Sequence, residues 1–469
     1  MSAAKLQRKM KDLARGSIVG HLTKLAAPIA LGTLLQTSLL YVEGYFVARL
    51  GKSALAGLSA SSTAIIVAYA ATQIVSVSTV TLVSHAVGRD SREESSRVFN
   101  QSMALSMFCM VLTLVAGCGL AVPYMRFLGA DSDTAAAGVT FLRWTIPAFA
   151  LQFPLAAMGS ALRGTGIVNP TIVVQTATVI LNAVLDPILI SGSFTGHPLG
   201  LEGAGLSRSI AALIAVGALS VYFIRLERYV TVDFSQWRPD LRIWRRMLVV
   251  GSPAGGEFAV IALFITVMYW TLRDFGAAAQ AGFGLGSRIL QGIFQPLISI
   301  TYPAAAIAGQ NFGAMRFDRV RRTFVVTATG VCVICALLAG VCQWRGEWMA
   351  SQFTENTEII AVTTAFLKIT SWNYILLGLV FTCSSLFQAM GNTLPSLATS
   401  AWRLLVFLGL VLWLKGRSDF RLVDVWYLMV GSVVLEAAFA VTLLRFEYRR
   451  RLRGSPQQHV VLPDRPAIG

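Results

Sequence analysis

The chain reads as an all-α integral membrane protein of twelve transmembrane helices in two parallel six-helix repeats, and three observations predict this. Hydrophobic residues make up 55% of the 469 and charged residues only 13%, with a mean hydropathy of +0.65; a soluble protein of this size does not hide that much apolar surface. Apolar runs of roughly 20 residues, the length that crosses a hydrocarbon core, recur along the chain. The two halves also repeat at a constant offset of 225 residues, which relates Pro28 to Pro253, Gly51 to Gly276, Gly57 to Gly282, Gly88 to Gly313, Arg97 to Arg322, Gly166 to Gly391 and Pro170 to Pro395. Glycine and proline stand where backbones bend or pack closely, so an ungapped offset through them marks a duplicated unit.

Each run is a helix because a backbone inside lipid must satisfy its own hydrogen bonds. In the first half the runs are 25–48, closed by Arg49 and Gly51; 54–82, followed by Gly88, Arg89 and Asp90; 101–122; 137–158; 168–192, opened behind Gly166 with Pro170 in its first turn; and 204–225. The second half gives 247–272, 279–308, 323–342, 362–383, 394–415 and 426–446. Six helices per repeat is an even number, so both repeats enter the membrane from the same side and are related by an axis along its normal.

The organisation expected is therefore a segment 1–24, a first lobe 25–225, an inter-lobe loop 226–246, a second lobe 247–446 and a tail 447–469. Lys5, Arg8, Lys9, Lys11 and Arg15 precede the first helix, Arg238, Arg242, Arg245 and Arg246 lie between the halves, and Arg316, Arg319, Arg321, Arg322 and Arg449–Arg451 fall on the same side. Lys and Arg accumulate in short cytoplasmic loops, which predicts both termini in the cytoplasm and the plasma (inner) membrane as location. The net charge of +16 then belongs to topology and anionic lipid headgroups, not to nucleic acid. The first apolar run is a full span without a small-residue cleavage site, so it is expected to remain. Cys109, Cys118, Cys332, Cys335, Cys342 and Cys383 fall inside spans and the four histidines do not cluster, so neither a redox centre nor a metal is expected.

Ionisable groups inside spans carry the functional expectation, because burying a charge there is expensive. Glu43 lies in the first helix, Asn182 and Asp186 in the fifth at i and i+4, and Arg208 in the sixth; all three charges fall at similar depth and are expected to meet, with Gln36 seven residues before Glu43 on the same face. Two carboxylates with one guanidinium leave a surplus negative charge, which suits a titratable or ion-binding site. The mates at +225 are Met268, Phe407, Val411 and Val433, so charge coupling is expected in the first half alone. The second half offers Met268, Trp270, Phe283 and Tyr302, soft and aromatic groups suited to loosely defined ligands, together with Glu257 and Arg288 as candidates for a substrate cavity.

The stretches AGQNFGAMR at 308–316, SHAVGR at 84–89, ALRGTG at 161–166 followed by Pro170, and LNAVLDP at 181–187 resemble those of the multidrug and toxic compound extrusion (MATE) transporters, and the resemblance covers nearly the whole chain. It implies two lobes forming a V that alternate access and export organic cations or amphipathic drugs in exchange for protons or sodium, with no cofactor and no enzymatic activity. Glu43 then takes the place of the family's first-helix acid, usually aspartate, and Asn182 and Asp186 match its fifth-helix pair. Arg208 departs from the pattern, standing where sodium-linked members often place a threonine; a fixed cation there repels sodium and favours the proton. The lobes are expected to pivot near residues 225–246. An exporter dedicated to one natural product, or a flippase for lipid-linked sugars, are the alternative functions, and two lobes in one chain make a monomer sufficient.

Overall fold

A computed structural model describes residues 13–48, 50, 52–128, 132–193, 196–227, 229–417 and 419–452; within these the side chains at 40–45, 48, 52–57, 59, 60, 62–65, 127, 128, 293–296 and 298 are not described. The helices are α1 (Ile18–Ala48), α2 (Lys52–Gly88), α3 (Arg92–Leu128), α4 (Ser132–Gly164), α5 (Asn169–Ile190), α6 (Leu201–Arg225), α7 (Leu241–Leu272), α8 (Ala277–Gly313), α9 (Phe317–Ser351), α10 (Thr357–Thr370), α11 (Asn373–Ala389), α12 (Leu394–Lys415) and α13 (Leu422–Arg451). Among the described residues ten helices are long and apolar enough to cross a membrane, eleven when α10 and α11 are taken as one span bent by 56°. The twelfth expected span, α8, has 37 residues and the length to cross, and lies outside the count made on the described residues.

The break between α10 and α11 falls inside the run expected as one span. Gln343 of α9 donates to the carbonyl of Lys368 at 2.6 Å and to Ser371 Oγ at 2.9 Å, and so satisfies backbone that the bend removes from the helix ladder.

The duplication is visible in backbone conformation as well as in sequence. α2 and α8 begin and end at positions 225 apart, as do α5 and α12, and α4 matches the pair α10–α11 from first residue to last. Asp90 and Met315, also 225 apart, both hold positive φ (60° and 58°), and so do Gly166 and Gly391 (83° and 72°). Left-handed conformations are costly for residues with a Cβ, so their recurrence at Asp90 and Met315 shows the same corner built twice.

The lobes meet through crossed pairs: α1 of the first packs on α8 of the second, and α7 of the second on α2 of the first. Close approach at one end requires glycine. A Cβ on Gly88 would strike the carbonyl oxygen of Gln310, and one on Gly313 that of His85; residues 85 and 310 are themselves repeat mates. Apolar cores fill each lobe, around Phe99, Phe153, Met158 and Phe223 in the first and around Phe264, Phe283, Phe366, Phe407 and Trp426 in the second.

The segments entering the two lobes are crossed too. Ahead of α1, the carbonyls of Leu13, Ala14 and Gly16 accept from Asn311, Arg316 and Arg319 of the second lobe, at 3.2, 2.7 and 3.0 Å. Ahead of α7, residues 229–240 lie along α3. Asn100 donates to Thr231 O (2.9 Å) and accepts from Asp233 N (2.9 Å), Gln101 accepts from Asp240 N (2.9 Å), and Arg97 pairs with Asp240 at 2.8 Å. The loop expected as a pivot is thus fastened to the first lobe up to Asp240, whose side chain caps α7 through the N–H groups of Arg242 and Ile243.

Candidate functional site

Only Asn182, Asp186 and Ile190 of α5 are buried, a stripe of one residue per turn. Asp186, 2% exposed, accepts from Ser207 Oγ of α6 at 2.5 Å. The same hydroxyl lies 3.0 Å from the carbonyl of Ala204. A hydroxyl has one hydrogen. Given to Asp186, it stabilises the carboxylate; given to Ala204, it leaves the Ser207 oxygen free to accept from a protonated Asp186. One turn earlier, the Oδ1 of Asn182 is buried without a donor among the described residues, an acceptor for whatever proton or cation arrives beside it.

Of the predicted constellation the structure brings Asn182 and Asp186 onto one buried stripe and adds Ser207, which sequence alone passed over because serine inside a helix carries no charge to mark it. Arg208, the next residue, is half-buried with its Cζ 5.6 Å from the centroid of Phe141. The side chain of Glu43 lies outside those described. Its backbone position follows from a neighbouring pair: Gln175 Nε2 of α5 donates to Gln36 Oε1 of α1 at 3.0 Å. The two helices run in the same direction, so seven residues further on position 43 stands level with position 182. Gln36 thus has Gln175 as its described partner.

The second lobe departs from expectation. Charge is not confined to the first half, since Arg403 of α12 pairs with Glu436 of α13 at 3.2 Å, Glu436 being 1% exposed. Glu257 of α7, 7% exposed, accepts from Ser384 Oγ of α11 at 3.2 Å and has Glu436 and Arg403 as its charged neighbours. All three ionisable groups lie near the middle of their helices, in the interior of the lobe. The rule that marked Asp186, an ionisable residue inside a span, marks Arg403 and Glu436 equally, although neither is the +225 mate of a first-half charge.

The remaining cavity candidates separate. Met268 and Phe283 are buried in the core of the second lobe, 0% and 4% exposed. Trp270 lies under Lys415, whose Nζ is 3.8 Å from its ring centroid while pairing with Asp274 at 2.7 Å, at the end of α7. Arg288 is exposed on α8, and Tyr302 reaches the other lobe, its hydroxyl 3.4 Å from that of Tyr69.

At one end the seam is closed by a matched set of bonds. His85 Nε2 donates to Ala389 O (2.6 Å), Gln310 Nε2 to Gly164 O (2.8 Å), and Thr81 Oγ1 to Gln388 O (3.0 Å). Both His85 and Gln310 thereby cap the last carbonyls of the opposite lobe's fourth span.

A duplicated two-lobe helical bundle, with crossed seam helices and polar clusters buried within the spans of each lobe, defines a membrane transporter. The MatE family model matches the chain twice, over residues 28–188 and 253–413, two segments related by the same 225-residue offset, and the chain belongs to that family. It is 24% identical over 370 residues to the probable multidrug resistance protein YoeA of Bacillus subtilis, covering 77% of this chain and 78% of that one. It is 22% identical over 444 residues to the multidrug export protein MepA of Staphylococcus saprophyticus, covering 93% and 96%. A crystal structure of MATE in complex with MaL6 superposes with a TM-score of 0.89 at 18% identity, covering 95% of this chain and all of that one. The protein is a multi-pass membrane transporter of the multidrug efflux class, not an enzyme.

Proposed function

We propose that this chain exports amphipathic organic cations by exchange for protons, alternating access between its two lobes, with both termini in the cytoplasm. The observation that carries the proposal is the Asp186–Ser207 contact: a carboxylate in a membrane span whose hydroxyl partner serves its charged and its protonated form, beside an amide oxygen with no donor among the described residues. A site that accommodates both forms without rearrangement suits repeated proton exchange better than a permanent structural ion pair. Arg208, adjoining Ser207, places a fixed cation near the site and favours the proton over sodium as the coupling ion. The seam bonds of His85 and Gln310 close one end of the pathway, so substrate and proton exchange at the other.

Coupling follows if protonation of Asp186 or Glu43 and binding of substrate favour different lobe arrangements, since a ligand shifts an equilibrium only by its differential affinity. The test is fluorescence of a pH probe enclosed in proteoliposomes holding a proton gradient, with cationic drugs added outside. Substrate-dependent proton movement that is lost in Glu43→Gln and Asp186→Asn is the expected result. Transport driven equally by a sodium gradient overturns proton coupling, and transport retained in both variants overturns the site.

A further inference from the structure

Below the exposed part of the seam lies a guanidinium that the coupling site does not use. Arg163, in the last turn of α4, is half-buried. Its Nη2 donates to Ser160 Oγ at 2.7 Å and to Ser76 Oγ of α2 at 3.1 Å, and its Cζ lies 5.8 Å from the ring centroid of Tyr302, on α8 of the opposite lobe. The Tyr302 hydroxyl in turn meets Tyr69, and Gln73 Nε2 stands 3.5 Å from it. Tyr69 is 48% exposed.

Three features distinguish this group from a structural arginine. Among the described residues no carboxylate pairs with it, and its electrostatic neighbours are the two tyrosines. Its Nε and Nη1 hydrogens find no described acceptor. The guanidinium lies at the seam, against the Tyr302 ring of the opposite lobe. The polar groups around it are neutral: the two serine hydroxyls, 2.9 Å apart, accept from it, the two phenols meet each other, and the Gln73 amide donates to Tyr302. A cation held at this depth without a counter-ion among the described residues is costly, and a planar guanidinium with Nε and Nη1 hydrogens to give matches a carboxylate or phosphate group.

The geometry points to an anion subsite at Arg163, spanning both lobes, that receives the carboxylate or phosphate of an amphipathic ligand while the rings of Tyr69 and Tyr302 take its aromatic part. The inference rests on the drug-export function above and narrows it: ligands carrying an anionic group beside their cationic one are preferred to purely cationic ones. An anionic lipid headgroup presents the same chemistry and is the other source of such a ligand.

The test compares norfloxacin, which carries a carboxylate, with its ethyl ester, which does not, by tryptophan quenching of the full-length protein in phosphatidylcholine nanodiscs. Wild type is expected to bind the acid about tenfold more tightly than the ester, the scale of one hydrogen bond to a charged group. Arg163→Gln brings that ratio to about one without changing affinity for the ester, and Arg163→Lys, which keeps the charge, retains discrimination. Equal binding of acid and ester by wild type, or an unchanged ratio in Arg163→Gln, overturns the subsite. Phosphatidylglycerol in the nanodisc that weakens norfloxacin binding by wild type but not by Arg163→Gln supports the site and identifies lipid as its occupant. If drug export itself fails and neither compound binds, thermal unfolding in sodium phosphate against sodium chloride of equal ionic strength decides: stabilisation of wild type by phosphate that Arg163→Gln lacks sustains the subsite, and its absence in wild type overturns it.

Discussion

His85 and Gln310 stand 225 residues apart and make the same bond: each donates to a terminal carbonyl of the other lobe's fourth span, Ala389 and Gly164, which are also 225 apart. With Gly88 and Gly313 admitting the backbones to contact, these two bonds tie the lobes together at one end of the seam, the end proposed above to be closed to transport. A hydrogen bond of this kind contributes about 1 kcal/mol net, a factor of about five in an equilibrium. Gln310→Ala is therefore expected to raise the labelling rate of a cysteine placed at Ser84, by a membrane-impermeant maleimide, about fivefold. His85→Ala should do the same, and His85→Gln, which gives the first repeat the chemistry of the second, should return the rate to that of wild type.

Asp186 and Ser207 are expected to act as a unit. Ser207→Ala removes a hydrogen bond to a charged group, about 1.5–3 kcal/mol, and should slow proton-driven transport at least tenfold while substrate binding persists. In an Asp186→Asn background, the serine substitution should cost nothing further. Additive losses in that cycle would show that the two residues work independently.

The architecture was legible in the sequence because glycines and prolines record backbone conformation directly: the offset read from Pro28 and Pro253 reappears in helix ends and in the positive φ angles of Asp90 and Met315. Asp186 and Asn182 were legible because a charge inside an apolar run has few uses. Ser207 was not, since its importance comes from the hydrogen it shares, which no spacing reveals. Nor was the fastening of residues 229–240 to α3. Asn100 and Gln101 look like ordinary polar residues at the start of a span until their amides are found holding the Thr231, Gln236 and Arg238 carbonyls.

That fastening has a pH dependence. Burial of Asp240 opposes its ionisation, but the N–H groups of Arg242 and Ile243 and the Arg97 guanidinium overcome it and hold the carboxyl below its ordinary range. A group with a depressed folded value adds stability above its unfolded value, about 3.9 for aspartate, and loses it as pH falls through the folded one. Between pH 6 and pH 3 the melting temperature of wild type should therefore fall more steeply than that of Asp240→Asn. Parallel curves would mean that the contact with Arg97 does not hold the loop in solution.

The second-lobe cluster makes the sharpest stability prediction. Arg403 stands between Glu436, with which it pairs, and Glu257, and its Cζ also packs 4.3 Å from the Phe264 ring centroid. Removing the guanidinium in Arg403→Met leaves two carboxylates in an apolar interior, a loss of about 3–5 kcal/mol for a buried pair broken on one side. Removing Glu436 as well, in Arg403→Met with Glu436→Leu, takes away the uncompensated charge and should recover most of that stability, because a buried ion pair replaced by apolar side chains of similar volume is often neutral. Thermal unfolding in detergent, followed by tryptophan fluorescence, measures both variants. If the double variant is as unstable as the single, Glu257 alone is enough to require the cation, and the pairing that matters in this lobe is Arg403 with Glu257.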